Sequence, residues 1–354
     1  MIYVSVIGIV GVPACYGGFE SLVENLLDYI PFNVEYTIFC SKKNYSKTTQ
    51  IYKGAKLKYI NIKANGIWSI LYDWISIIRS RNSDVLLILG VSGCSILPLV
   101  RIFYKGKIIT NIDGLEWKRA KWKRMAKYFL HYSEKIAVKY SDVIIGDNAG
   151  ITDYIDSKYK VSSKLIEYGS NHAKQNNSSE FAKEYLFCEK PYALTVCRIE
   201  PENNISDIIK AFESGGNPYP LVIVGNWNNS KYARELYLKY SSFNNIKLLS
   251  PIYDINRINF IRCHATVYIH GHSAGGTNPS LVEAMNLGLP VLAYDCIYNR
   301  NTTENEALYW RDSEELNKLL FEDLTKIALR MKEISNRRYK WEFIAKKYNK
   351  LFNF

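Results

Sequence analysis

Several familiar signatures are missing from this sequence. No C-x-x-C pair occurs: the seven cysteines, at 15, 40, 94, 188, 197, 263 and 296, lie mostly in apolar runs. That speaks against a disulfide framework or a zinc site and fits a reducing cytoplasm. Five histidines are scattered and no D-x-D triplet is present, so neither an all-protein metal site nor a metal-held diphosphate is expected. The P-loop pattern is absent, and the glycines after the first strand candidate do not give G-x-G-x-x-G, which argues against a dinucleotide fingerprint. Long hydrophobic runs are missing as well. The uncharged opening Met1 to Phe19 lacks a basic start and is interrupted by Gly11, Pro13, Gly17 and Gly18, and the run Val85 to Val100 is broken by glycine, serine and Pro98. Both fall short of the ~20 apolar residues a span needs, so neither a signal peptide nor a transmembrane segment is expected.

Positive charge is in excess. Lysine and arginine number 46 against 34 acidic residues, a formal net charge of +12. Such a chain favours an anionic partner: nucleic acid, a membrane surface or a phosphorylated substrate. No helix-turn-helix, zinc-finger or RNP pattern accompanies the charge, and no nucleic-acid partner is expected.

At 354 residues, 47% of them hydrophobic, the chain fits two domains of ordinary size. Apolar strand-like runs alternate with longer amphipathic segments, the pattern of a parallel sheet covered by helices. Strands are expected at Tyr3 to Ile9, Tyr36 to Cys40, Lys58 to Ile62, Val85 to Leu89, Lys107 to Asn111 and Val143 to Gly146. A polar stretch between Tyr168 and Glu189 reads as a connector. The alternation then restarts at Tyr192 to Val196, Leu221 to Val224, Ile246 to Leu249, Thr266 to Ile269 and Pro290 to Ala293. The expected domains are 1–172 and 173–336, joined near residue 175. A last helix over 337–354, with Trp341, Ile344, Ala345, Tyr348 and Phe352 on one side, is expected to fold back on the first domain.

The most informative stretch runs from His270 to Ala293: strand, glycine-rich loop, helix, strand. Gly275 and Gly276 let the backbone approach an anion closely, Thr277 and Asn278 lead to a helix start at Pro279, and the helix dipole adds about half a positive charge. Glu283, placed on the first turn, is positioned to accept hydrogen bonds from a ribose. Phosphate donors beside a sugar-hydroxyl acceptor describe a nucleotide-sugar site, which one of His270 and His272 also touches. In the first half, Gly8 to Glu20 forms a second glycine loop between a strand and a helix, a phosphate or sugar cradle or else a plain turn. Arg198 follows a strand directly and either grips a diphosphate or pairs with Glu200 or Glu202. Asp113 and Glu116 either orient a sugar or cap the helix that follows. From Lys118 to Lys127 there are six basic residues and no acidic one, interleaved with Trp122 and Met125. On a helix this run either docks on a bilayer or forms a solvated face.

Together these residues resemble the GT-B retaining glycosyltransferases of the glycogen-synthase-like family 4. Within that family the chain is most similar to bacterial rhamnosyltransferases of capsule and O-antigen assembly. The likeness is carried by the segments Gly11 to Glu20, Asp113 to Arg119, Arg198 to Asn204 and Gly271 to Ser280, and it runs nearly end to end. It implies an α/β fold of two doubly wound Rossmann-like domains with a cleft between them, the first binding acceptor and the second the nucleotide sugar. The E-x7-E pattern of the wider family keeps only its second member, Glu283, the first falling on Gly275. The usual lysine partner of the arginine falls on Asn203. Asp113 stands about where many relatives have histidine.

Carried over by that resemblance, Asp113, Arg198 and Glu283 are the catalytic candidates. Arg198 and Asn203 would stand at the donor diphosphate and Glu283 at the ribose. The donor site would further include His272 and the backbone of Gly275, Gly276, Thr277 and Asn278, with Gly17 and Gly18 facing the transferred sugar. The implied enzyme is a metal-independent retaining hexosyltransferase that needs no cofactor beyond a dTDP- or UDP-linked donor. It would move a sugar, rhamnose by resemblance, to a polyprenyl-diphosphate-linked saccharide at the cytoplasmic face of an anionic membrane. A GT-B nucleotide-sugar epimerase and a catalytically silent nucleotide-sugar or polyanion binder stay open beside it.

Overall fold

Val85–Leu89 is a strand in which all five side chains are buried. A strand hidden on both faces needs strand neighbours on its edges and helices above and below. The computed structural model, which describes residues 1–15, 17–118 and 122–353, supplies both. The chain divides into unit 1, Met1–Tyr168 with Trp341–Phe354, and unit 2, Gly169–Lys340.

Unit 1 holds β1 (Ile2–Ile7), β2 (Val34–Ser41), β3 (Ile51–Tyr52), β4 (Ala55–Ile60), β5 (Val85–Leu89), β6 (Lys107–Asn111), β7 (Val143–Gly146) and β8 (Lys164–Leu165). Their order across the sheet is β3-β4-β2-β1-β5-β6-β7-β8, and every pairing is parallel except β3 with β4. Unit 2 holds β9 (Ala193–Val196), β10 (Leu221–Val224), β11 (Ile246–Leu249), β12 (Val267–His270), β13 (Val291–Tyr294) and β14 (Leu308–Trp310), in the order β11-β10-β9-β12-β13-β14, all parallel. Strand order reverses direction between β1 and β5 in unit 1 and between β9 and β12 in unit 2. At such a reversal the outgoing loops splay apart and leave a crevice at the carboxyl ends of the strands.

Side-chain alternation fills both faces of the second sheet. Leu221 and Ile223 point into a core with Phe212, Trp310 and Leu316, while Val222 and Val224 point into the opposite core with Phe260, Tyr268 and Leu289. Each such side chain contributes about 1.5–3 kcal/mol by leaving water.

The helix Trp341–Phe352 returns to unit 1, with the five residues of its expected apolar side all buried. Phe352 meets Tyr36 edge to face at 5.9 Å, and Asn111 Nδ2 donates to Tyr348 Oη at 3.1 Å. Arg337 and Arg338 fall outside it: they end the preceding helix Thr325–Arg338, and Tyr339 turns the chain while donating its hydroxyl to Thr302 O.

Two other expectations need correction. The polar stretch after Tyr168 is packed into unit 2: Ser170 and Ala173 are buried, Ser170 N donates to Tyr339 O at 2.7 Å, and Ser179–Glu184 is helical. Its small polar residues are hydrogen-bonding partners of unit 2. The basic run 118–127 is not one helix. Glu116–Lys118 is a single 3-10 turn, Lys123 is extended (φ −69°, ψ 159°), and the α-helix starts at Arg124 and runs to Tyr140. Arg119 and Lys121 lie outside the described residues.

Candidate active site

Two loops distant in sequence meet at the carboxyl end of the second sheet. Arg198 leaves β9, and the glycine loop 271–278 leaves its neighbour β12. Asn204 Nδ2 donates to Gly271 O at 2.8 Å, and both the N–H and the hydroxyl of Ser273 donate to Glu202 O at 2.9 Å. The approach is close enough that a Cβ on Gly271 would lie 2.0 Å from Asn203 O. The sequence-level pairing of Arg198 with the loop thus corresponds to one hydrogen-bonded assembly.

Within it, the Arg198 side chain is 44% exposed, and its guanidinium stands 3.9 Å from Glu200, too far for a hydrogen bond. The charge is therefore available at the surface of the site. Asn203 is buried and its Nδ2 donates to Arg198 O at 2.6 Å, so here it holds the arginine's backbone. Gly275 has φ +130°, a conformation that favours glycine, and the space where its Cβ would stand is empty to 4 Å. Gly275, Gly276 and Asn278 are half-buried and Thr277 is buried. The helix Pro279–Leu287 follows, with Asn278 as its cap accepting from Ser280 N at 3.0 Å. The backbone of an open glycine loop, a helix start and a guanidinium at the carboxyl end of one sheet form a receptor for a multiply charged anion.

Glu283 lies one turn deeper than expected, since Pro279 is the first helical residue and the first turn carries no acid. It is buried, accepts from His172 Nε2 at 2.8 Å and forms an ion pair with the equally buried Arg262. Burial pushes its carboxyl up, but Arg262 and His172 outweigh that and hold it below the usual carboxylate range. In this structure both oxygens are engaged inside unit 2.

His270 and His272 stack with centroids 4.5 Å apart and planes 9° from parallel. Burial lowers His270 to about 3, so its imidazole is neutral at physiological pH. Both of its ring nitrogens lack a hydrogen-bond partner among the described residues. His272 is partly exposed and its carbonyl accepts from Asn299 Nδ2 at 2.8 Å. No group of three or more His, Cys, Asp or Glu side chains poised to hold a metal stands among the described residues.

In unit 1 the glycine loop after β1 ends at Gly17, the cap of the helix Gly18–Leu26. The buried Glu20 clamps it, one carboxylate oxygen accepting from Val10 N at 2.7 Å and the other from Gly17 N at 3.0 Å. Asp113 follows β6, half-buried, at φ +64°, with Leu115 at φ +47°. Two non-glycine residues in the left-handed region cost about 1–3 kcal/mol each and mark a backbone held in an unfavourable shape.

Arg198, Asn203, His272, the 275–278 segment and Glu283 therefore belong to unit 2, and Gly17, Gly18 and Asp113 to unit 1. Sequence reading missed His172 and Arg262, which fix Glu283, and the clamping role of Glu20. Only Glu20 had a local signal, an acid at the third helical position after a cap.

Residues 1–171 match the family model "Domain of unknown function (DUF1972)", and residues 176–324 match "Glycosyl transferases group 1". An uncharacterized glycosyltransferase of Methanocaldococcus jannaschii is 24% identical over 241 residues, which are 64% of this chain and 59% of that protein's length. Among solved structures, sucrose-phosphate synthase from Thermosynechococcus elongatus superposes with a TM-score of 0.81 at 15% identity, covering 99% of this chain and 98% of that one. HepE of Anabaena, in complex with UDP-glucose, gives 0.76 at 14% identity, covering 99% of both chains. The chain thus has the two-domain α/β GT-B fold, and its residues 176–324 match the model of the glycosyl transferases group 1.

Proposed function

We propose that the protein is a retaining glycosyltransferase that moves a sugar from a nucleotide diphosphate to a polyprenyl-diphosphate-linked saccharide in capsule or O-antigen assembly. The sugar proposed is rhamnose, from a dTDP- or UDP-linked donor. The observation that carries the reading is the joined pair of loops in unit 2, where the exposed Arg198 and the open Gly275 backbone stand beside a helix start. Arg198 and the loop N–H groups stabilise the departing diphosphate, the part of the reaction where negative charge grows, and they do so without a metal. The C1–O bond to the diphosphate breaks, the acceptor oxygen bonds to C1, and the acceptor proton passes to a phosphate oxygen of the leaving group. No strong protein base is required. A UDP- and UDP-glucose-bound neighbour of the same fold supports a nucleotide-sugar donor.

A panel of nucleotide sugars with mass detection of product, with and without crude lipid-linked acceptor, tests the proposal. Glycosyl transfer to the lipid fraction is the expected result. Epimerised or hydrolysed donor irrespective of lipid would mark an epimerase, and donor binding without turnover a silent binder; either would overturn it.

A further inference from the structure

From a face of unit 1 we infer the bilayer-docking surface of the protein; the inference deepens the functional reading above, which puts the acceptor in a membrane. Three helices lie side by side on one face of the first sheet: Trp68–Arg79, Leu97–Phe103 and Arg124–Tyr140. Trp74 Nε1 donates to Ser95 Oγ at 3.2 Å, tying the first to the approach of the second. Arg101 Nε donates to Tyr140 O at 2.9 Å, tying the second to the third.

Their outward side chains are unusual in two respects. The short middle helix buries only Leu97 and Val100, leaving Leu99, Ile102 and Phe103 at 62%, 73% and 53% exposure. Trp68, Tyr128 and Tyr132, on its two neighbours, are each more than half exposed. A helix apolar on all sides is ordinarily covered by protein or lipid.

The second respect is charge. Asp73 and Glu134 are the only acidic residues on the three helices, and both are turned inward and buried. Asp73 accepts from Ser92 Oγ, and Glu134 accepts from Trp117 Nε1 at 2.9 Å and from Tyr154 and Tyr159 at 2.8 and 2.6 Å. Arg79, Lys123, Arg124, Lys135 and Lys139 stay exposed. The helices therefore offer solvent apolar, aromatic and cationic groups without an exposed anion. That combination complements an anionic bilayer: aromatic and aliphatic groups at the level of the headgroups, with lysine and arginine at the lipid phosphates. A protein partner would fit the apolar residues but gives no reason for the lack of exposed acids on the three helices.

The surface overlaps the basic run 118–127, to which the sequence drew attention, only where the helix Arg124–Tyr140 begins. It is centred on the Leu97–Phe103 helix, whose segment contains one charged residue, and that one, Arg101, is paired with Asp142. Docking is thus assigned to an apolar centre with a cationic border.

The test uses the full chain and two variants, Leu99→Ser/Ile102→Ser/Phe103→Ser and Lys135→Gln/Lys139→Gln, sedimented with vesicles of phosphatidylcholine alone or mixed with phosphatidylglycerol. Wild type should bind the mixed vesicles and release at high salt. Each lysine removed should weaken binding about fivefold, and the triple variant should lose binding with the thermal midpoint of wild type. Equal binding by wild type and the lysine variant, or no preference for phosphatidylglycerol, would overturn the inference. So would self-association of lipid-free wild type that the triple variant abolishes, since it would give the face to a second copy. Transfer to a soluble acceptor analogue, measured on the same three proteins, reports separately on the functional reading: its absence in wild type counts against that reading and leaves the vesicle result standing.

Discussion

Replacing Glu283 with alanine asks whether its carboxylate serves the interior of unit 2. In the folded chain Glu283 is 7% and Arg262 5% exposed, and Arg262 Nε has no hydrogen-bond partner among the described residues. Removing the anion leaves a buried guanidinium without its counter-charge. Breaking a buried pair in this way costs about 3–5 kcal/mol. For a unit of this size each kcal/mol lowers Tm by about 2–4 °C, so Glu283→Ala should melt on the order of 10 °C early in a calorimeter. Replacing both members, Arg262→Met with Glu283→Met, should recover most of the loss, because a packed apolar pair needs no counter-charge. The pH dependence has a definite sign. A carboxyl held below its usual range contributes fully above its unfolded value, about 4.3, and the contribution is lost as pH falls through the folded value. Glu283→Gln should accordingly lose less stability than wild type on strong acidification. A Glu283→Ala protein that melts with wild type and loses only nucleotide affinity would refute this reasoning and turn the carboxylate outward to a ribose.

Arg198→Ala should cut kcat by on the order of 100-fold with a smaller change in donor affinity, as expected for charge matched to the leaving diphosphate; near-normal turnover in a transfer assay would make it a surface ion-pair residue. Transfer should continue in excess EDTA, and loss that added magnesium restores would contradict a metal-free site. Gly271→Ala puts a Cβ 2.0 Å from Asn203 O, so the two loops must part: UDP affinity by calorimetry should fall, with about 1–3 kcal/mol of stability lost, and unchanged affinity would show that the loops act independently. Burial lifts Asp73 to about 7, so its contribution to unit 1 is full below about 4 and is lost as pH rises through about 7. Wild type should lose on the order of 4 kcal/mol over that window relative to Asp73→Asn, and parallel pH–stability curves would refute it.

Strands that run through the middle of a sheet were legible because burial on both faces demands largely apolar runs: Val85–Leu89, Lys107–Asn111, Val143–Gly146 and Leu221–Val224 begin and end where their residues suggest, and so does the four-residue edge strand Ile246–Leu249. Ile51–Tyr52, Lys164–Leu165 and Leu308–Trp310 were not, since an edge strand of two or three residues has no pattern to read. At the site, glycine loops and the arginine after a strand announce themselves locally. The partners of Glu283 do not, for His172 stands 111 residues away and their contact exists only after unit 2 has folded. The run 118–127 misled because charge composition says nothing about where the chain turns, and Lys123 is extended.

The path of the chain sets an order of assembly. Unit 2 is contiguous, Gly169–Lys340, whereas unit 1 is completed by Trp341–Phe354. Tyr36 and Asn111 are contacted by Phe352 and Tyr348, residues that leave the ribosome only after the whole of unit 2. During synthesis the first unit to begin is therefore the last to close its core, and for that interval part of its apolar interior is open to water and to chaperones. The same threading makes Lys340 a poor place to end a shortened chain: it would keep every strand of both sheets and still leave unit 1 unfinished.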